Sequence, residues 1–301
     1  MTAKTKLTPG RAIFSVLNYT FFALFTFICV YPLWFVFIYT ISNPALVRTT
    51  PVTFYPLGFS LYNIQKVIRL EGIAHAMFIS VARTVVGTVL TLASCMILGY
   101  VFSKENVPFR RLMYRILVVT MYVGGGLIPY YLVVRAYGLL NTFWVYVVPP
   151  VSAYYVILIK TYVEQLPASL EESALIDGAN YMRIFIRIIV PLSIPIAATI
   201  TIYSAVEQWN AWFDNHIYTF SNSNLTCLQY LLYNYLNEAQ RLTNLLESTH
   251  VTQEIEQRAM NLSPMGVRMT ITLITVLPIL CVYPFLQKYF IKGMFTGSVK
   301  G

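Results

Sequence analysis

Charge is what this chain withholds over long distances. No Asp, Glu, Lys or Arg lies between Arg11 and Arg48, and further charge-free runs cover 84–103, 116–134, 136–159, 188–206 and 269–287. A helix needs about 20 predominantly apolar residues to cross a bilayer, so these runs read as membrane-spanning helices. The composition agrees, with 57% hydrophobic and only 11% charged residues, where soluble domains carry about 25% charged. The net charge of +9 is scattered at the ends of apolar runs rather than gathered on one face, which argues against nucleic acid as a partner. The basic, then apolar, N-terminus has the order of a signal peptide, but the first run far exceeds a core of about 7–15 residues and reads as a retained span. Cys29, Cys95, Cys227 and Cys281 form no C-x-x-C pair. They read as small buried hydrophobes, with no disulfide framework or metal site.

Six helices account for the runs, at about 14–41, 74–102, 112–135, 139–163, 188–208 and 267–290, within one transmembrane domain over 1–301. Starting the second near Ala74 places Arg83 inside it, where it faces a pore, or snorkels or pairs structurally; a structural role is the favoured reading. A further charge-free run, 215–237, is rich in Asn and Ser and too polar to cross hydrocarbon cheaply. Six spans put both termini on one side. Lys4, Lys6, Arg11, Lys104, Arg110, Arg111, Arg115, Lys160, Arg183, Arg187, Lys288, Lys292 and Lys300 lie on that side, against Arg48, Lys66, Arg69, Arg135, Arg241, Arg258 and Arg268 on the other. The positive-inside rule therefore predicts an N-in, C-in all-α membrane protein.

The polar segment between the fourth and fifth spans reads PASLEESALIDGANYMRIFIRIIVPLSIP (167–195). Ser169 and Glu172 have capping-box spacing, and Glu171 and Glu172 suit the positive end of a helix dipole. Gly178 should end that helix, and Asn180 can cap a second one running to Pro191. Tyr181, Ile184, Phe185 and Ile188 recur at helical spacing. A helix lying on the lipid surface is the plainer alternative, but such helices favour Lys and Arg on the polar face. This segment opens with Glu171, Glu172 and Asp177, which suit a basic protein groove.

Glu172-Ser173-Ala174 is followed after three residues by Gly178, and nine residues later by Ile188, Val190 and Pro191. This resembles the EAA loop of permease subunits in binding-protein-dependent ABC importers, whose pattern is EAA, three residues, Gly, nine residues, Ile-x-Leu-Pro. Ser173 and Val190 are the two departures. The resemblance implies a type I ABC importer permease fold with cytoplasmic EAA coupling helices, and a coupling loop at 167–191. It assigns ATPase coupling to Glu171, Glu172, Ala174, Asp177, Gly178, Ala179, Phe185 and Pro191, with Glu172 and Gly178 as docking and hinge positions. The implied partners are a homologous permease, two ATP-binding subunits that hold ATP and Mg, and an extracellular sugar-binding lipoprotein. A P-loop needs a Gly-Lys pair and the chain has none, so it reads as a transporter subunit, not an enzyme, with no cofactor, catalytic or metal residues of its own.

Three strings, PVTFYPLGFSLYNI (51–64), GGGLIPYYLVVRAYGLLNT (124–142) and ILCVYPFLQKYFIKGMFTGSVKG (279–301), are similar to the maltose-type second permeases that import oligosaccharides and polysaccharide fragments in Gram-positive bacteria. That likeness implies a multi-pass protein of a Gram-positive plasma membrane.

A candidate substrate path lies at the end of the fifth span: Glu207, Gln208, Trp209, Asn210 and Trp212, with Asp214 and Asn215 beyond. Sugars stack C–H faces on aromatic rings and present hydroxyls to amides and carboxylates. The competing reading is an interfacial aromatic belt. Tyr130, Tyr131 and Arg135 are further candidates, as are Tyr154 and Tyr155. Gly124-Gly125-Gly126 and Pro129 interrupt the third span, for close packing or local unwinding. The loop at about 42–73 is Pro-rich. The loop at about 211–266 shows helical periodicity at Leu228, Leu231, Leu232, Tyr235 and Leu236, and the resemblance places it against a binding protein or the partner permease. A non-sugar cargo is the alternative within the class. A secondary transporter would need buried carboxylates and broken half-helices; Glu207, at a span edge, is the nearest. A membrane enzyme would need a constellation that the scattered His75, His216 and His250 do not supply.

Overall fold

The computed structural model describes residues 9–47, 49–148, 151–247 and 264–298. Among them the architecture is helical, and strand pairing is limited to the isolated bridge Ser42↔Phe59. The chain groups into two compact units, Met1–Glu71 with Leu236–Val276, and Gly72–Tyr235 with Leu277–Gly301.

In the first unit, α1 (Pro9–Thr40) is followed by α2 (Pro44–Val47) and α3 (Tyr62–Ile68). The Pro-rich connection is tied back by Trp34 Nε1 donating to the Phe54 carbonyl at 3.1 Å, and by buried Asn63 donating to the carbonyls of Thr40 and Ser42. Polar side chains here pair with backbone that no regular ladder satisfies.

The second unit is built around α4 (Ile73–Ser103), then α5 (Arg110–Tyr122), α6 (Leu127–Ala136), α7 (Ala153–Glu164), α8 (Ala168–Ile176), α9 (Tyr181–Leu192) and α10 (Ile194–Asn210). The short α11 (Phe213–Tyr218) follows. Two helices, α12 (Leu228–Glu247) and α13 (Pro264–Ser298), contribute to both units in parts. The periodicity at Leu228–Leu236 is thus helical; residues 248–263 of the expected external loop, including His250, lie outside the described residues, as do Lys4, Lys6, Arg48 and Lys300.

Among the described residues, three helices are long and apolar enough to cross a membrane, Ile13–Thr40, Ile73–Ser103 and Met265–Val282; α9 and α10, bent by 78°, make a fourth if taken as one span. The expected spans 112–135 and 139–163 are not continuous helices. The first breaks between α5 and α6, where Gly126 takes φ +80° and three successive glycines carry the highest helix cost short of proline. The second has, among its described residues, only a 3-10 turn at Phe143–Tyr146 before α7 begins at Ala153. The span expected at 188–208 starts as a straight helix only at Ile194.

α4 is the centre of the second unit, flanked by α7 and α10. At Gly99 a Cβ would come within 2.5 Å of Ile159 Cγ2, so glycine is what lets α4 and α7 approach this closely. One core cluster joins Met96, Tyr100 and Phe102 to Val156, Ile159, Ile184, Ile189 and Ile200. A second joins Ile79 to Val134, Val145, Tyr146, Tyr218 and Cys227. Cys95 and Cys227 are buried, as expected, whereas Cys29 and Cys281 are exposed on helices apolar enough to face lipid.

Candidate coupling and translocation site

The 167–191 segment takes its shape from its own sequence. α8 ends in a Schellman motif: Gly178, at φ +78°, donates its N–H to the Leu175 carbonyl at 3.0 Å, and Ala179 donates to Ala174 at 2.9 Å. Only glycine enters that backbone region without penalty. Asn180 Oδ1 accepts from the Arg183 N–H at 2.9 Å, capping α9. The expected capping box is not formed. Pro167, not Ser169, holds the N-cap position, and no side chain caps there; with Pro167 opening the turn, Ser169 falls inside it. α9 carries a π turn over Phe185–Ile189.

Lys104, at the C-cap of α4, ion-pairs with both carboxylate oxygens of Glu171 in the first turn of α8. Glu171 is therefore engaged within the chain. Phe185 packs on Tyr100 of α4 with ring centroids 5.2 Å apart. Glu172 and Asp177 are exposed, as is Gly178, while Ala174 and Ala179 pack against the core. Ile176 is 86% exposed, beside exposed Leu175 and Met182. Pro191 lies in the last turn of α9. A cavity of about 430 Å³ opens between this segment and the 103–110 connection, lined in part by Lys104, Arg110, Glu164, Glu171 and Glu172.

At the other end of α4 the polar residues expected to mark a substrate path separate into different roles. Arg83, 2% exposed, meets Asp214 through two bonds, Nη2–Oδ2 at 2.5 Å and Nη1–Oδ1 at 3.1 Å. It also donates to Gln208 Oε1 and lies over the Tyr146 ring at 4.4 Å. A buried guanidinium is tolerable only with such saturation. Gln208 is spent on this cluster and on the Tyr146 carbonyl. Trp209 is buried, lining an apolar cavity of about 100 Å³ with Thr84, Ile202 and Pro278. Glu207 accepts from the Tyr155 hydroxyl at 3.3 Å, and Asn210 is exposed. Trp212 stacks on Tyr233, with ring centroids 4.3 Å apart. Tyr130 and Tyr131 both lie against Tyr218, beside the helix break and a cavity of about 470 Å³ lined by Gly125, Gly126 and Pro129.

The sequence does not mark Tyr146, Tyr218 or Tyr233, and it marks Lys104 only as a charge on the side of the termini. Their partners lie far away in the chain, and no local spacing marks them. Among the described residues no cluster of His, Cys, Asp and Glu could hold a metal.

Residues 95–296 match the family described as "Binding-protein-dependent transport system inner membrane component". The chain belongs to that family. It is 34% identical to Protein LplC of Bacillus subtilis (strain 168) over 98% of this chain and 97% of that one. It is 32% identical to the polygalacturonan/rhamnogalacturonan transport system permease protein YtcP of the same organism, over 96% and 99%. Its fold matches a chain from the crystal structure of a bacterial ABC transporter involved in the import of the acidic polysaccharide alginate, with a TM-score of 0.83, 26% identity and coverage of 95% of this chain and 100% of that chain. The protein is an ABC importer permease, an integral membrane subunit that is not itself the ATPase and that works with a second permease, ATPase subunits and a substrate-binding protein.

Proposed function

We propose that this permease forms, with a homologous permease, the translocation path of an ATP-driven importer of oligosaccharides or polysaccharide fragments. The observation that carries the cargo class is the likeness over nearly the whole chain to a polygalacturonan/rhamnogalacturonan permease, supported by the alginate importer's shared fold. In this reading the chain crosses a Gram-positive plasma membrane six times with both termini inside, in a type I arrangement. Two segments supply the crossings at 112–135 and 139–163 without continuous helix, because broken backbone is tolerated in a membrane where it lines a cavity or meets protein.

The coupling loop at 167–191 docks on two ATP-binding subunits, which hold ATP and Mg. Exposed Glu172, Asp177, Leu175 and Ile176 support this reading. Glu207, Asn210 and the Tyr130/Tyr131 pair face the path; Gln208, Trp209 and Trp212 shape its walls. The 211–266 region meets an extracellular binding lipoprotein.

Reconstituting both permeases, the ATPase and the binding protein in proteoliposomes tests this. Labelled oligogalacturonide should accumulate with ATP and stop when the ATPase subunit is omitted. Accumulation of oligopeptide instead would replace the cargo class. Uptake that persists without the ATPase would overturn the importer reading.

A further inference from the structure

α4 is a single uninterrupted helix whose two ends hold different things. At its C-terminal end it is fastened to the coupling segment twice. Lys104 pairs with Glu171 of α8, and Tyr100 packs on Phe185 of α9. The Lys104 ammonium also lies 4.6 Å over the Tyr100 ring, so the two fastenings touch. The pairing joins the negative end of one helix dipole to the positive end of another, each with the complementary side-chain charge.

Toward its N-terminal end α4 is fastened three times to the 207–228 stretch. Arg83 grips Asp214, Ser80 Oγ accepts the Leu228 N–H at 2.8 Å, and His75 Nε2 meets the Asn224 carbonyl at 2.7 Å. From Arg83 to Lys104 the helix spans about 32 Å, at 1.5 Å per residue. Gly99 and Gly87 bring α7 and Gln208 of α10 against its backbone, and α4 runs from Ile73 to Ser103 without a proline or a break.

We propose that α4 is the rod that carries movement of the coupling loop to the 207–228 segment, with Lys104–Glu171 as one fastening and Arg83–Asp214 as the other. Lys104 is then a positioning residue for ATP-driven transport: it touches neither nucleotide nor cargo, and acts by making Glu171 move with α4. The inference rests on the coupling role proposed above for 167–191. It assigns Glu171 an intramolecular partner, where a docking role would point it at the ATPase.

The test uses the assembled importer in nanodiscs, with Cys29 and Cys281 changed to Ser and a reporter Ser223→Cys in the exposed turn before Leu228. ATP with vanadate should trap ADP on the ATPase subunits and change the maleimide labelling rate of the reporter about tenfold, within the range of ordinary allosteric couplings. Lys104→Met should trap ADP to the same extent and lose that labelling change. Asp214→Asn should do the same from the other end. The exchange Lys104→Glu with Glu171→Lys should restore most of the change.

Retained labelling changes in both single variants overturn the proposal. So does an exchange that fails to rescue, or an unmodified importer that traps ADP while its reporter stays unchanged. If Gly178→Pro, which deforms the 167–191 turn, traps ADP and keeps the reporter's change, the coupling role on which the proposal stands is refuted instead.

Discussion

The two ends of α4 are specified in opposite ways. At the C-terminal end, the turn between α8 and α9 is shaped by residues within a few positions of one another: Gly178 bonds Leu175, Ala179 bonds Ala174, Asn180 caps Arg183. At the other end the partners are remote. Arg83 and Asp214 are 131 residues apart, Ser80 and Leu228 are 148 apart, and the Tyr146 hydroxyl reaches the Leu225 carbonyl across 79. A locally determined turn can take its shape before the rest of the unit has packed. A cluster of remote contacts exists only when the whole unit has packed, so damage there should spread.

The sharpest break of this contrast is Arg83→Met. It strands the Asp214 carboxylate and removes the ring contact to Tyr146, and breaking one partner of a buried pair costs about 3–5 kcal/mol. The purified complex should show a large drop in its thermal unfolding midpoint and poor recovery. An unchanged midpoint would mean that this end is not held by its buried charge. Gly178→Pro is the counterpart at the C-terminal end. Proline cannot adopt φ +78° and removes the donor to Leu175, at a local cost of about 3 kcal/mol or more. The damage should stay local: the unfolding midpoint holds, while binding-protein-stimulated ATP hydrolysis is lost. Stimulation that survives in an assembled complex would remove the segment from the coupling step.

The same contrast explains what could be read in advance. The Schellman glycine, the Asn180 cap and the helix after Leu228 were legible because each is a short-range pattern with a physical cause. The break at Gly124–Gly126 is visible as an interruption, yet charge-free length alone still suggests a continuous helix through it and through the 3-10 turn at Phe143–Tyr146. Ser169 was misjudged because Pro167 starts the turn two residues earlier than the capping-box spacing required. Gln208 and Trp209 carried the right chemistry for a sugar, but burial spends Gln208 on Arg83 and Trp209 on an apolar wall. Composition cannot reveal that, since adjacent residues on α10 point to different neighbours.

Gly99→Val probes the packing of α4 on α7 just inside its C-terminal end. Its side chain would drive into Ile159 and the Lys160 backbone, 2.5 and 3.2 Å from the Cβ position. Overpacking of this kind costs about 1–3 kcal/mol. Because α7 would be pushed from α4 in the core cluster that also holds Ile184, Ile189 and Ile200, both readouts should fall moderately, thermal midpoint and stimulated hydrolysis together. A fall in only one would show that the ends are packed more independently than the shared core suggests.

Asn180→Ala is the smallest expected change and the finest test of locality. It removes a single side-chain cap, worth about 1 kcal/mol, from a helix whose Ile184 and Ile189 are still buried in the α4 core. If the turn is locally specified but globally anchored, hydrogen exchange at the Arg183 amide should quicken by roughly fivefold, as expected for about 1 kcal/mol, while the thermal midpoint and the amides of α4 stay as they were. Faster exchange extending into α4 would mean that the cap supports the fastening of α8 and α9 to the rod. Locality would then describe how the turn is encoded and not how its stability is distributed.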